Sequence, residues 1–483
     1  MNRAGVQRIV GLLLALFSPT LLPPIGVALV FDDPHGAAFA ESFALILGAG
    51  LLLWWPVRRE RKELRLRDGF VIVSSFWVVL GVFGAAPFLL VDEPRMDVTD
   101  AIFESISGLT TTGATVLADL DDLPPSVLYY RQQLQWLGGL GLVVLAVAVL
   151  PMLGVGGMQL YRAETPGPLK DTKLTPRITE TAKALWFIYL GITVACTAAY
   201  WLAGMTPFDA VCHAFSTVST GGFSTHDANL AYFRDPVIHA VALVFMIVAG
   251  VNFSLHFMAW RARTLASYFQ DAEFRAYAWF LGSMAIVVSG YLLWAGYYAS
   301  AWEAIHQGVF HAVSMATTAG FALDSFTFWP GGLPILLLFS SFVGGCASST
   351  AGGMKVVRWL LMYKQGSREF QRLVHPSAEM PVKLGDKIVP QRIVDSVWGF
   401  FAVYVIVFAA LFFVMLTTGL DQVSAFAAVA ASLNNLGSGL GEVAVTFATL
   451  TDVGKWASVV AMLLGRLEIF TLLVLVTPAF WRR

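Results

Sequence analysis

Four short words in this chain set hydroxyl, amide or small residues beside a glycine inside strongly apolar sequence. They are Thr111-Thr112-Gly113, Thr220-Gly221-Gly222, Thr318-Ala319-Gly320 and Asn435-Leu436-Gly437. Their last glycines stand 109, 98 and 117 residues apart, the period of a duplicated membrane unit rather than of a solenoid repeat. The likeness extends upstream. Nine residues before each glycine stand Glu104, His213, His311 and Ala428; six before stand Ser107, Ser216, Ser314 and Ala431. The chemistry on offer is carbonyl coordination, because four such turns around one axis can present rings of backbone oxygens that replace a cation's water. Glycine is what permits it: successive carbonyls face one axis only if a residue per turn tolerates φ > 0. A single such word would be a packing device between helices. Four aligned copies point to an ion path lined by the carbonyls of Thr111, Thr112, Gly113, Thr220, Gly221, Gly222, Thr318, Ala319, Gly320, Asn435, Leu436 and Gly437.

Something must hold those words at membrane depth. The segments before them, 98–109, 208–218, 302–316 and 423–433, are too short and too polar to span a bilayer. They read as re-entrant half-helices, since non-helical backbone survives at that depth only where it lines a water-filled path or is buried in protein. Their C-terminal ends would point at the axis, where the negative end of the helix dipole favours a cation. Glu104, His213 and His311 lie about two turns before the words, too far to touch an ion. A bracing role by hydrogen bonds is expected for them.

Composition places the rest. The chain is 57% hydrophobic and 13% charged, and apolar runs long enough to cross a bilayer recur throughout it. A polytopic membrane protein follows; the net charge of −1 carries no information about partners. No nucleic-acid partner is expected. Residues 7–31 and 36–55 form two spans, followed by Arg58, Arg59, Arg61, Lys62, Arg65 and Arg67, a cluster that belongs on the cytoplasmic side. Ala38-Phe39-Ala40 imitates a signal-peptide cleavage site but lies at the start of the second run, so the first run reads as an uncleaved span. Cys196, Cys212 and Cys346 have no metal-like spacing and read as small buried hydrophobes.

The fold class expected is an all-α polytopic membrane protein. A two-helix hairpin over 1–68 precedes four repeated modules of span, re-entrant pore helix and span around one central pore. The modules cover 69–158, 176–266, 273–375 and 388–483. The connectors between them carry Arg162, Lys170, Lys173 and Arg177, then Arg261, Arg263 and Arg275, then Lys364, Arg368, Arg372, Lys383, Lys387 and Arg392. With Arg482 and Arg483 at the end, this places connectors and both termini in the cytoplasm. The opposite loops carry Asp32, Asp33, Asp92, Glu93, Asp119, Asp121 and Asp122, an ordinary solvated set.

The third module departs from the pattern. Its second span is interrupted by Gly344-Gly345-Cys346-Ala347-Ser348-Ser349-Thr350-Ala351-Gly352-Gly353, with Lys355 just after. Ten small or polar residues cannot face lipid as a helix, so they read as a break lining the cavity beneath the four words. The run lacks the Gly-Lys-Ser/Thr ending of a phosphate loop. A flexible plug that gates conduction is the sharper reading, and a plain kink the alternative. Arg466 lies inside the last apolar run, 456–480, where an arginine either faces a cavity or pairs between modules. Glu468 is near in sequence but on another helix face.

These residues resemble the TrkH/KtrB-type K⁺ transport subunits, in particular the TrkH branch with its two extra N-terminal spans. The resemblance covers essentially the whole chain. It is carried by Gly108-Leu109-Thr110-Thr111-Thr112-Gly113-Ala114, Trp136-Leu137-Gly138-Gly139-Leu140-Gly141, Tyr161-Arg162-Ala163-Glu164, Ser219-Thr220-Gly221-Gly222-Phe223, Thr317-Thr318-Ala319-Gly320-Phe321, the 344–355 loop and Arg466. It implies K⁺ as the transported ion at the filter residues, a bacterial inner-membrane location, and a homodimer with one pore per subunit. It implies a cytosolic, nucleotide-binding TrkA-like ring that gates the pore. It also implies that the broken helix of the third module is the intramembrane gate and that Arg466 reaches the pore beneath the filter. A serine at the first filter glycine goes with Na⁺ preference in eukaryotic relatives, and Gly113 is the K⁺-type residue. The fourth loop departs from the pattern, with Ser438 where relatives often carry proline.

Two other classes compete with this reading. A symporter coupled to H⁺ or Na⁺ needs carboxylates along the route, and Glu104 and Glu468 are few. A membrane-embedded enzyme needs clustered histidines and carboxylates, whereas His213 and His311 fall on separate modules; no enzymatic activity is expected.

Overall fold

The computed structural model describes residues 2–59, 64, 66–141, 178–377 and 380–482. The expected module limits at 158 and 176, Tyr161–Glu164 of the family signature, and the basic residues Arg61, Lys62, Arg65, Arg162, Lys170, Lys173, Arg177 and Arg483 lie outside them.

Among the described residues, six helices are long and apolar enough to cross a membrane: Arg3–Val30, Gly36–Val57, Arg67–Leu90, Ala182–Leu202, Ala272–Ala295 and Gln391–Thr417. The first is not uniform. Pro19, Pro23 and Pro24 lack the N–H groups a helix interior needs, and a tight turn over Ser18–Leu21 joins its two halves. Gly11 and Gly50 let it press on the second helix. A Cβ at Gly11 would stand 2.8 Å from the Gly50 carbonyl oxygen, and one at Gly50 would stand 2.9 Å from that of Gly11.

Between the spans lie four short helices, Val98–Leu109, Pro207–Val218, Ala301–Ala316 and Gln422–Leu433, each running directly into one of the four words. Each begins on a side chain that accepts from its first-turn N–H groups, namely Asp97, Thr206, Ser300 and Asp421. They start within a residue of the limits expected from the sequence, because cap and glycine bracket each one.

The return spans differ from expectation in two places. In the second unit, Pro236–Ala249 and Phe253–Ala262 meet at 94°. A Cβ at Gly250 would lie 2.2 Å from the Tyr277 hydroxyl, so nothing larger fits at the corner, and Asn252 caps the second half through Ser254 N–H. In the fourth, the expected continuous run 456–480 is broken after Arg466: Asp452–Arg466 and Phe470–Val476 meet at 114°. Glu468 and Ile469 adopt φ of 53° there, which stops any helix. The third unit is therefore not alone in having a broken return span. Its break is the longest among the described residues, with residues 344–355 separating Leu333–Val343 from Val356–Val374. Cys196, Cys212 and Cys346 are buried and free, as expected.

Candidate functional site: a ring of glycines and carbonyls

The four words share one backbone conformation. The first residue of each is left-handed, with φ of 54° at Thr111, 53° at Thr220, 59° at Thr318 and 52° at Asn435. The third residue is a glycine at φ of 81°, 80°, 73° and 79°. The middle N–H folds back onto the preceding helix. Thr112 donates to Ser107 O, Gly221 to Ser216 O, Ala319 to Ser314 O and Leu436 to Ala431 O, at 2.8–2.9 Å. That pattern is a helix C-cap closed on a left-handed residue. Asparagine tolerates the left-handed region, but a β-branched threonine does so only under strain. Three threonines held this way mark a place where local comfort yields to another demand.

The words also touch one another in order. A Cβ on Gly113 would lie 1.9 Å from Gly221 O, one on Gly222 2.1 Å from Ala319 O, one on Gly320 2.2 Å from Leu436 O, and one on Gly437 2.3 Å from Thr112 O. Each third-position glycine thus abuts the middle carbonyl of the next word, and the fourth returns to the first. The contact closes a ring. Only glycine allows it, since any side chain at these positions would displace a neighbouring backbone carbonyl.

Polar side chains behind the ring hold it. Glu104 is fully buried; it receives Arg131 Nε at 2.7 Å, Val116 N–H at 3.1 Å and the Thr115 hydroxyl at 3.0 Å. Arg131 also donates to Thr115 Oγ1 and Ser224 O, and its guanidinium lies 4.3 Å from the Phe223 ring centroid. His213 hydrogen-bonds the Ser224 hydroxyl at 3.0 Å through Nε2, while its Nδ1–H donates to Asp209 O. The His311 ring sits between two carbonyls, with Nδ1 2.9 Å from Gln307 O and Nε2 3.1 Å from Asp324 O, and Leu323 N–H lies 3.4 Å from Nε2. All three bind the stretch just past the glycine of their own word. Ser107 and Ser314 do the same nearer by, donating to Ala114 O at 2.5 Å and Phe321 O at 2.7 Å. Ala428 and Ala431 have no such group, and Ser424 accepts from Glu442 N–H in the fourth unit instead.

The 344–355 loop lies against the first-residue end of the ring. Gly352 N–H donates to Thr318 Oγ1 at 2.6 Å, Gly353 N–H to Asn434 O at 3.0 Å, and the Thr350 hydroxyl to Val218 O at 3.0 Å. Thr220 Oγ1 stands 3.4 Å from Thr350 Oγ1. Cys346 N–H reaches Gly250 O at the corner of the second unit, and Ser348 O receives Phe253 N–H. Lys355, at φ 78°, folds back so that Nζ donates to Ala351 O. Arg466, at the C-terminus of its half-helix, donates to Thr350 O at 3.0 Å, Gly138 O at 2.6 Å and Gly139 O at 2.7 Å. The helix end is a favourable place for it. Its guanidinium also lies 5.7 Å from the Trp77 centroid. Glu468 pairs with Arg358, whose guanidinium also lies over Phe400.

Three participants were not singled out from sequence. Arg131 carried a usable signal, a charge in a segment expected to return through the membrane. Gln135 bridges its neighbour's word, donating to Gly221 O at 2.6 Å and accepting from Phe223 N–H at 3.2 Å. Glu273 is buried and accepts from Ala347 N–H at 2.6 Å and Val357 N–H at 3.3 Å, so one carboxylate holds both ends of the 344–355 loop. Among the described residues, no group of three or more His, Cys, Asp or Glu side chains could hold a metal ion.

The architecture is that of a polytopic helical membrane protein in which four loops join in a ring of backbone oxygens. Residues 35–483 match the model of the TrkH family, described as cation transport proteins, and the chain belongs to that family. It is 55% identical to the Trk system potassium uptake protein TrkH of Vibrio parahaemolyticus, with all of both chains covered. It is 53% identical to the protein of the same name from Escherichia coli K12, again with full coverage. The Trk system potassium uptake protein TrkG of that organism is 41% identical over 99% of this chain and 98% of its own. The crystal structure of the potassium transporter TrkH from Vibrio parahaemolyticus superimposes with a TM-score of 0.91 and covers 100% of each chain.

Proposed function

We propose that this protein carries K⁺ across the bacterial inner membrane through the ring, acting as a channel-like pathway gated by the 344–355 loop. The observation that carries the reading is the closed circuit of glycine-to-carbonyl contacts from Gly113 through Gly222, Gly320 and Gly437. Four modules, 69–158, 176–266, 273–375 and 388–483, then surround one pore, with the 1–68 hairpin outside it and both termini cytoplasmic. The twelve residues of the four words are the filter. The words differ in sequence, so selectivity is looser than identical rings would give. The protein works as a homodimer with one pore per subunit, and a TrkA-like nucleotide-binding ring on the cytosolic side controls the loop.

Coupled symport is the second reading, and the carboxylates speak against it. A coupling group must load and release its ion during each cycle. Glu104 is locked by Arg131, and Glu468 is paired with Arg358. In liposomes the purified protein should pass K⁺ down its own gradient with no H⁺ or Na⁺ gradient imposed. K⁺ movement that required such a gradient would replace this reading with symport.

Arg466 supplies a fixed cation under the filter, since a guanidinium stays protonated at any relevant pH. Two like charges about 4 Å apart repel by roughly 4 kcal/mol at an effective dielectric near 20. Arg466→Ala is expected to raise K⁺ flux while leaving the K⁺/Na⁺ ratio nearly intact. If the arginine were only a brace, its loss would leave the carbonyls of Gly138, Gly139 and Thr350 short of a donor, and flux and expression would fall together. Measuring both on one variant separates the two.

A further inference from the structure

The ring has two ends, and the one away from the 344–355 loop is uneven. Ser438, just after the fourth word, is half-buried, and its hydroxyl donates to Gly320 O at 2.6 Å. That is a short hydrogen bond between two neutral groups. The oxygen it meets belongs to the last residue of the third word. Ser438 reaches it from a firm base, because Gly437 beside it is wedged against Thr112 and Gly113 of the first word. One hydroxyl therefore ties the fourth word to the third while its own backbone rests on the first. Gly222 O, at the same position in the second word, receives only a longer bond, from Asn229 Nδ2 at 3.3 Å.

We infer that Ser438 is a selectivity-determining positioning residue, which sets the K⁺ preference of the ring's outer end through the Gly320 carbonyl. The inference rests on the reading of the ring as a K⁺ filter. Two accounts of carbonyl selectivity exist, one based on cavity size and one on the field of the coordinating dipoles. Both give Ser438 the same sign. On the size account, a tethered carbonyl cannot lean inward to close around the smaller Na⁺. On the field account, a carbonyl that shares its electron density with a hydroxyl offers the ion a weaker field. Weaker fields favour the larger, less strongly hydrated cation, which is K⁺. No other fate for the hydroxyl is needed, since a serine donates one hydrogen bond and this one is spent on the filter.

The test is the K⁺/Na⁺ flux ratio of the full-length protein in liposomes, measured for the parent, Ser438→Ala, Ser438→Thr and Gly113→Ser. A neutral hydrogen bond is worth about 0.5–1.5 kcal/mol net, so Ser438→Ala should lower the ratio roughly two- to ten-fold. Ser438→Thr keeps the hydroxyl and should stay close to the parent. A structural role alone would alter total flux and leave the ratio where it was. An unchanged or raised ratio in Ser438→Ala overturns the inference, and so does an equal fall in Ser438→Ala and Ser438→Thr. If Gly113→Ser still shifts the ratio, the filter reading survives that failure. If neither Gly113→Ser nor Ser438→Ala shifts it, the filter reading itself fails.

Discussion

Deleting residues 345–352 is expected to raise basal K⁺ flux strongly and to make transport far less dependent on the proposed cytosolic partner. The geometry is unusually kind to this deletion. Gly353 Cα lies 3.0 Å from where a Cβ on Gly344 would stand, so the two α-carbons are at most about 4.5 Å apart, close to the ~3.8 Å of one peptide. The flanking helices can be rejoined with little movement. What disappears is the set of bonds that hold the loop under the ring: Thr350 to Val218 O, Gly352 N–H to Thr318, Cys346 N–H to Gly250 O, and Arg466 to Thr350 O. Even two of these, at about 1 kcal/mol each, correspond to roughly thirtyfold in the population of the closed arrangement. Flux into liposomes with and without the partner measures both effects. A deletion variant that folds, yet keeps the parent's flux and partner dependence, would remove the loop from the gate.

Gly113→Ser is expected to collapse K⁺/Na⁺ discrimination without abolishing cation flux. The added Cβ would stand 1.9 Å from Gly221 O, at a residue whose φ of 81° a side chain resists. Backbone strain of this kind costs on the order of 1–3 kcal/mol. The obvious relief is to push the Gly221 carbonyl off its place in the ring, although Gln135 grips that oxygen from behind. If the strain is released at the expense of the K⁺ site, the ratio falls roughly five- to hundredfold. Flux of K⁺ and Na⁺ in separate liposome assays gives the number. A ratio equal to the parent's would mean that this turn does not face the ion.

Much of this site was legible in the sequence because it is built from local rules. A polar cap, twelve or so residues, a strained turn and a glycine recur four times, and each is set by neighbours in the chain. The break at 344–355 was legible for the same reason, since ten small or polar residues cannot stay helical in lipid. The corners after Ala249 and Arg466 were hidden. No proline marks them, and only isolated polar residues, Asn252 at the first and Arg466 and Glu468 at the second, interrupt the apolar sequence there. Their cause is distant: a Cβ on Gly250 would meet Tyr277, and one on Gly465 would lie 2.1 Å from Leu433 O under the fourth pore helix. The same holds for Glu273, whose two backbone partners are 74 and 84 residues away. Arg131 could be suspected as a charge inside a span, but only the fold shows that Glu104, not an ion, is its counter-charge.

The central claim is that the four words coordinate K⁺ with backbone oxygens on one axis. Rb⁺ replaces K⁺ in carbonyl sites and scatters anomalously, so crystals of the protein grown in Rb⁺ test it directly. The account predicts anomalous density inside the ring, about equidistant from the carbonyls of the four words and lost when Na⁺ replaces Rb⁺. Density confined to the acidic loops, with none inside the ring, would contradict it.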